Sequence, residues 1–343
     1  MYKFANVEDK ERELVFRRTA SKLKLSEAIV EKDFWVCWML DYMFTKFKFR
    51  AFLTFKGGTS LSKAFHMIER FSEDIDLVLN WNAIGIDQDE PYIERSHNQQ
   101  EAFNKKVKQR TVQLMINSWI PIIQNDFINL LDSPNEIYID KVDGQTICFK
   151  YPRDFSDSSI LQIIRLEIGV LAENMPTTNK SVKSFVSEMY PEIFELQSTE
   201  IKTVGASRTF FEKLTILHRE ANRVNKDYPK RYSRHYYDVF QMLQTASGNE
   251  LYSDIELLFQ VVAFNNRFYP CAWANYKDIF IGQLKLVPNE DAIQAFADDY
   301  ENMKNMIFGP QPKFQSMINT FIDLEIHLNR RIIEFSLHEK FML

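Results

Sequence analysis

Residues 56–79 read KGGTSLSKAFHMIERFSEDIDLVL, and this stretch constrains the fold more than any other part of the 343-residue chain. Its last six residues, Asp74 to Leu79, open with alternating charged and apolar side chains and form the clearest strand. Residues i and i+2 of a strand face the same side. Asp74 and Asp76 therefore share one face, with Cα atoms roughly 6–7 Å apart, while Ile75, Leu77 and Leu79 point to the core. Upstream, 51–55 (AFLTF) reads as a short buried strand, Gly57-Gly58 breaks it, and Thr59 to Glu69 suits a helix. The chain must thus fold as strand, glycine turn, helix and second strand, with two acids on one face of the last.

Two carboxylates on one rigid strand repel each other unless positive charge sits between them. Oxygen-only ligands suit Mg2+ or Mn2+ rather than zinc. Gly57 and Gly58, lacking side chains, let the backbone approach phosphate oxygens, and the helix start behind them offers free N–H groups. Thr59 and Ser60 add hydroxyl donors, and Lys63, one turn along, is expected to reach the same anion. A phosphate cradle followed by an acidic metal strand is the layout phosphoryl transfer needs. Each half alone has a plainer reading: a Gly-Gly pair is usually a turn and D-x-D usually a solvated strand face. Their combination is what is specific.

Elsewhere, 8–24 and 26–46 read as helices, the second with Ser26 as N-cap. Residues 98–131 read as helix with a break at Pro121, and 136–141 with 145–150 as a hairpin around Asp143-Gly144. Residues 160–170 form a strand, and 171–200, with Pro176 and Pro191, are irregular. From Ser207 the chain is helical, at 207–225, 234–246, 250–266, 290–307 and 312–336. Two domains are expected: an α/β domain over 1–200 and a helical domain over 201–343. No run of 18 apolar residues and no signal-like N-terminus occur, so no membrane segment is expected. Cys37, Cys148 and Cys271 are too scattered for a disulfide framework or a zinc site, which favours a reduced, cytoplasmic setting.

The net charge of −5 does not announce nucleic-acid binding, and any such binding needs a local basic patch. Residues 201–235 supply one: Lys202, Arg208, Lys213, Arg219, Arg223, Lys226, Lys230, Arg231 and Arg234, opposed by Glu212, Glu220 and Asp227 and interleaved with Tyr228, Tyr232 and, just beyond, Tyr236 and Tyr237. Arginine with aromatic faces grips phosphate and stacks bases; a charge-rich helix standing alone is usually only a solvated surface. Lys105, Lys106, Lys108 and Arg110 form a second run.

GGTSLSK followed by RFSEDIDL resembles the AbiEii-type nucleotidyltransferase toxin family of the polymerase-β-like superfamily. The run Glu31–Val36 (EKDFWV) is similar to that family's N-terminal helix, and the matching motifs scatter over about 25–245. Lys56 departs from the wider superfamily, where that place is usually apolar. The resemblance implies an α+β fold: a polymerase-β-like mixed sheet with flanking helices, followed by a mostly helical domain. It implies transfer of a nucleoside monophosphate from a nucleoside triphosphate with Mg2+ or Mn2+, in a toxin–antitoxin or phage-defence system with a cognate antitoxin. RNA is the implied acceptor, the tRNA end being the acceptor in some relatives. The superfamily takes a third carboxylate from a neighbouring strand, and Glu167 in IIRLEIGV is the candidate, as metal ligand or general base. The plainer reading pairs Glu167 with Arg165. The segment 211–214 (FEKL) resembles the family's helical lysine motif, implying that Lys213 contacts the triphosphate. The segment 234–240 (RHYYDVF) resembles its aspartate motif, implying that Asp238 orients Lys213 or a basic neighbour. Ser72 matches a serine at the family's metal site, linked in some relatives to control by phosphorylation. Two alternatives stay open: a protein or small-molecule acceptor at the same site, or a nucleotide-binding regulator without turnover.

Overall fold

The computed structural model describes residues 1–158, 160–173, 175–225 and 228–342; Lys226 and Asp227 of the basic run lie outside them. The strands are β1 (Leu53–Lys56), β2 (Asp74–Leu79), β3 (Glu136–Ile139), β4 (Thr146–Lys150), β5 (Ile164–Gly169), β6 (Thr177–Val182) and β7 (Thr199–Val204). The helices are α1 (Tyr2–Ala5), α2 (Asp9–Leu23), α3 (Glu27–Asp41), α4 (Gly57–Lys63), α5 (His97–Leu114), α6 (Ile120–Leu130), α7 (Phe185–Met189), α8 (Ala206–Ala221), α9 (Ser233–Gln244), α10 (Ile255–Phe268), α11 (Glu290–Met303) and α12 (Phe314–Met342). They divide into two compact units, residues 1–65 with 71–204, and 66–70 with 205–343. Among the described residues no helix is long and apolar enough to cross a membrane.

The first unit is an α+β body around a seven-stranded mixed sheet of order β3-β4-β5-β2-β1-β7-β6. The pairs β2–β5 and β1–β7 are parallel and the rest antiparallel. Helix α3 starts at Ser26, whose hydroxyl accepts from the Ile29 N–H, and is buried nearly all round. It packs on the sheet through aromatic rings: Trp35 lies 5.9 Å from Phe149 of β4, and Trp38 lies 5.0 Å from Phe127 of α6. Such edge-to-face pairs add about 0.5–1.5 kcal/mol each beyond the area they bury. The second unit is helical. Its long α12 buries Met317, Phe321, Leu324, Leu328 and Ile332 at helical spacing.

Two expectations are corrected. The stretch 171–200 is not irregular throughout, for it holds β6, α7 and the start of β7. Strand β6 (TTNKSV) is an edge strand with mostly exposed or half-exposed side chains, so it carries no apolar alternation to reveal it. The helix expected to run to Glu69 stops at Lys63 instead. The chain then leaves the first unit: the Glu69 carbonyl accepts from the Phe308 and Gly309 N–H groups at 3.0 and 3.1 Å, and Arg70 forms a bridge with Ile307.

Candidate active site

Strand register assembles the polar centre of the first unit. Lys56 of β1 is the direct partner of Asp76 of β2, and Asp76 is the partner of Glu167 of β5. Asp74, two residues earlier, is the partner of Arg165. Directly paired residues project to the same face, so Asp74, Asp76, Arg165 and Glu167 form a square on adjacent strands about 4.8 Å apart. The alternate residues of these strands, Ile75, Leu77, Leu166 and Ile168, are buried on the opposite face.

The glycine turn closes one side of this square. Gly57 has φ +80°, a left-handed conformation that favours glycine, and a Cβ on it would lie 1.8 Å from Oδ2 of Asp76. The Asp76 carboxylate therefore occupies the space a side chain would take, and the backbone at Gly57 lies directly against it. The other groups predicted at the turn behave differently. The Thr59 hydroxyl donates to the Asp74 carbonyl, with the Ser72 carbonyl 3.5 Å away, and the Ser60 hydroxyl donates to the Gly57 carbonyl at 2.8 Å. Both residues are buried, so these hydroxyls tie α4 to β2 and to its own start instead of facing an anion. Lys63 is corrected likewise: its ammonium is turned inward onto Asp33 at 2.7 Å. Gly58 follows Gly57 in the first turn of α4, and Ser72 is half-buried just before β2.

Arg165 is the group that sequence reasoning treated only as an alternative partner. Its guanidinium is held at one end by Asp140, Nη1 to Oδ2 at 2.7 Å, and its Nε stands 3.6 Å from Asp74 and 3.9 Å from Glu167. Asp140 is fixed in turn by the N–H groups of Asp143 and Val142, which with Arg165 hold its carboxyl low. Burial, then Asp76 and Asp74, push the Glu167 carboxyl up to about 7, with Arg165 opposing the shift. Among the described residues no three acid, histidine or cysteine side chains converge as a ready-made metal cage, and Arg165 stands among the carboxylates.

In the second unit the two remaining motifs meet. Asp238 is fully buried and bridges Lys213 of α8, at 2.8 Å, and Arg70, which grips both its oxygens at 2.6 and 2.8 Å. Burial alone would raise the Asp238 carboxyl, but Arg70 and Lys213 hold it well below the ordinary range. Burial, reinforced by Arg70 and Arg234, lowers the Lys213 ammonium despite Asp238. Arg70 belongs to the RFSEDIDL motif, so its presence was readable, though its partner was not. Of the basic run, Lys230 and Arg231 are exposed and Arg234 half-exposed. Arg219 and Arg223 both pair with the buried Glu220 carboxylate, at 3.0 and 2.6 Å, and Arg223 stacks 4.8 Å over Trp273. Arg208 is only 1% exposed, with its Nε 3.4 Å from Glu212, so it is removed from the candidate RNA surface.

No curated protein matches the chain. Among solved structures it is similar to MenT4, a nucleotidyltransferase toxin from Mycobacterium tuberculosis H37Rv, at 14% identity and a TM-score of 0.46, over 97% of this chain and 99% of that one. The family described as nucleotidyl transferase AbiEii toxin, type IV toxin–antitoxin system, matches residues 38–320. This span contains the glycine turn, the acidic square and the buried Lys213–Asp238–Arg70 cluster, and the chain belongs to the AbiEii nucleotidyltransferase toxin family.

Proposed function

We propose that the chain transfers a nucleoside monophosphate from a nucleoside triphosphate to RNA, with the tRNA 3′ end as the expected acceptor, using a divalent cation held by Asp74, Asp76 and Glu167. Membership of the family makes the protein a nucleotidyltransferase toxin with a triphosphate substrate and a cognate antitoxin. The observation that carries the finer reading is the fit of the Asp76 carboxylate against Gly57, in register with Glu167. A side-chain-free backbone thereby borders the Asp76 carboxylate, with Glu167 beside it on the next strand and Asp74 two residues away on the same face.

The donor set fits a hard cation: three carboxylates on adjacent strands and no sulfur or imidazole. Burial first, and then Asp76 and Asp74, raise the Glu167 carboxyl, and a cation would relieve the part owed to the two acids. Mg2+ and Mn2+ are the ions of that chemistry, and when bound such an ion screens the triphosphate and the charge that develops during in-line displacement. The rest falls to the chain. Gly57 and Gly58 give phosphate oxygens close access to the backbone. Glu167, in register with Asp76, accepts the proton of the attacking hydroxyl. Lys213, whose motif implies contact with the triphosphate, has its ammonium fixed by Asp238 within the second unit. Lys230, Arg231 and Arg234, with Arg219 and Arg223 beside Tyr232 and Trp273, would engage the RNA backbone. A cytoplasmic setting follows from an RNA acceptor and a triphosphate substrate.

The test is incubation with each of four labelled triphosphates and total RNA, with and without Mg2+, using wild type and Asp74→Ala. Cation-dependent label on RNA is expected, reduced on the order of a thousandfold or more in Asp74→Ala. Parallel arms with cell protein and small acceptors decide the acceptor class. Transfer to protein at a rate equal to or above that to RNA would displace the RNA reading, and unaltered transfer by Asp74→Ala would remove the acidic site.

A further inference from the structure

Three consecutive charged residues lie inside α3, and Glu31, Lys32 and Asp33 are at most 3% exposed. Successive residues turn 100° around a helix, so the three reach three different elements. The Glu31 carboxylate accepts from the Asp154 and Phe155 N–H groups. The Lys32 ammonium pairs with Glu73 at 3.0 Å and also donates to the Leu161 carbonyl. The Asp33 carboxylate takes Lys63 at 2.7 Å and the Phe185 N–H, which begins α7, at 2.7 Å.

Buried ion pairs are poor stabilisers: exchanging one for apolar side chains of similar size is often neutral or favourable, whereas removing a single partner is costly. Two such pairs side by side on one helix are therefore unexplained by stability. Their landing points are informative. Lys63 is the last residue of α4, and Glu73 immediately precedes Asp74. Between them the chain passes through His66–Arg70, which belongs to the other unit. The pairs thus hold the chain on either side of that excursion, and the Glu73 carboxylate is further fixed by the Leu161 N–H at 3.2 Å.

We propose that Lys32 with Glu73, and Asp33 with Lys63, are positioning pairs by which α3 sets the spacing between the glycine turn and the acidic strand, and so the cation affinity and turnover of the site. Lys63 then acts through Asp33 and not on the triphosphate. The inference rests on the reading of Asp74 and Asp76 as the catalytic acids.

The test is Lys32→Met/Glu73→Gln, which removes both charges while the amide oxygen introduced by Glu73→Gln can still accept from the Leu161 N–H. Its thermal midpoint should stay within a few degrees of wild type. Mn2+ binding, followed by electron paramagnetic resonance without nucleotide, should weaken about tenfold, and kcat should fall about thirtyfold, in line with the roughly hundredfold loss a 1 Å misplacement produces. Asp33→Asn/Lys63→Met, which removes both charges of the other pair while the amide oxygen introduced by Asp33→Asn can still accept from the Phe185 N–H, serves if the first double variant does not fold, and should show the same split. A folded variant with wild-type Mn2+ affinity and kcat would overturn the proposal. Asp74→Ala run alongside separates the two failures. If Asp74→Ala keeps wild-type activity, the acidic site is wrong; if it is inactive while the pair variant is unaffected, only the positioning inference fails.

Discussion

Replacing Gly57 by alanine tests the site at its tightest point. The new Cβ would begin 1.8 Å from the Asp76 Oδ2, 2.5 Å from its Cγ and 2.9 Å from its own Cβ. Atoms of this kind settle no closer than 3.0 Å. The carboxylate, the turn or both must therefore move by about 1.2 Å. A misplacement of about 1 Å at a reacting centre costs on the order of a hundredfold in rate. The backbone contributes separately, since φ +80° is strained for alanine by roughly 1–2 kcal/mol. Gly85→Ala isolates that part: Gly85 has φ +67°, and a Cβ there meets nothing within 4 Å. Both variants should lose roughly 1–2 kcal/mol in urea unfolding from the backbone, with a further clash cost confined to Gly57→Ala. Only Gly57→Ala should lose about two orders of magnitude in kcat/KM for labelled-triphosphate transfer at saturating acceptor. Wild-type turnover by a folded Gly57→Ala protein, or an equal loss in Gly85→Ala, would refute the contact between the turn and Asp76 as a determinant of activity.

Glu167 gives a pH signature. Between the ordinary 4.5 and about 7 the folded chain keeps a proton that the unfolded chain releases, so stability falls as pH rises through that window in chelator-treated protein. Thermal midpoints measured from pH 4.5 to 7.5 should decline for wild type and flatten for Glu167→Gln, while Arg165→Met, removing the group that opposes the shift, should move the decline to higher pH. Asp238→Asn leaves two buried cations without their carboxylate and should cost about 3–5 kcal/mol in denaturant unfolding. A coupled double variant, Asp238→Asn/Arg70→Met, should recover part of that loss, and strict additivity would show that the bidentate contact is energetically idle. If the exposed basic residues hold RNA, Lys230→Gln/Arg231→Gln should flatten the log–log salt dependence of RNA affinity by about 1–2. Arg208→Gln should leave that slope alone and lower stability, because its guanidinium is buried beside Glu212.

What the sequence made legible was whatever depends on local periodicity. The two-residue repeat of Asp74-Ile75-Asp76 fixes which side chains share a face, whatever the strand's neighbours, and the structure keeps Asp74 and Asp76 together for that reason. Register across strands is a different matter. That Asp76 stands opposite Glu167 depends on how β2 and β5 slide against each other, and a one-residue slip would turn Glu167 away. Only the family resemblance supplied that pairing in advance. The partners of buried charges were harder still. Lys63 and Arg208 lie in runs whose composition suggests solvent or phosphate, yet both are buried and each ends on an acid, the buried Asp33 and the half-buried Glu212. Composition counts charges and says nothing of which way a helix is rolled.

The same distinction explains why the EKD run of α3 carries more information than its resemblance suggested. A helix buried on every side has no solvated face on which to place three charges, so each must find a partner within reach or lose several kcal/mol of solvation. The partners available at Lys32 and Asp33 are Glu73, immediately before the strand that opens with Asp74, and Lys63, the last residue of the helix that opens with Gly57. A sequence that keeps charge in the interior at that cost is specifying position more than stability. Position is what the acidic square requires, because the close fit of Asp76 on Gly57 survives only if α4 and β2 are held in one arrangement.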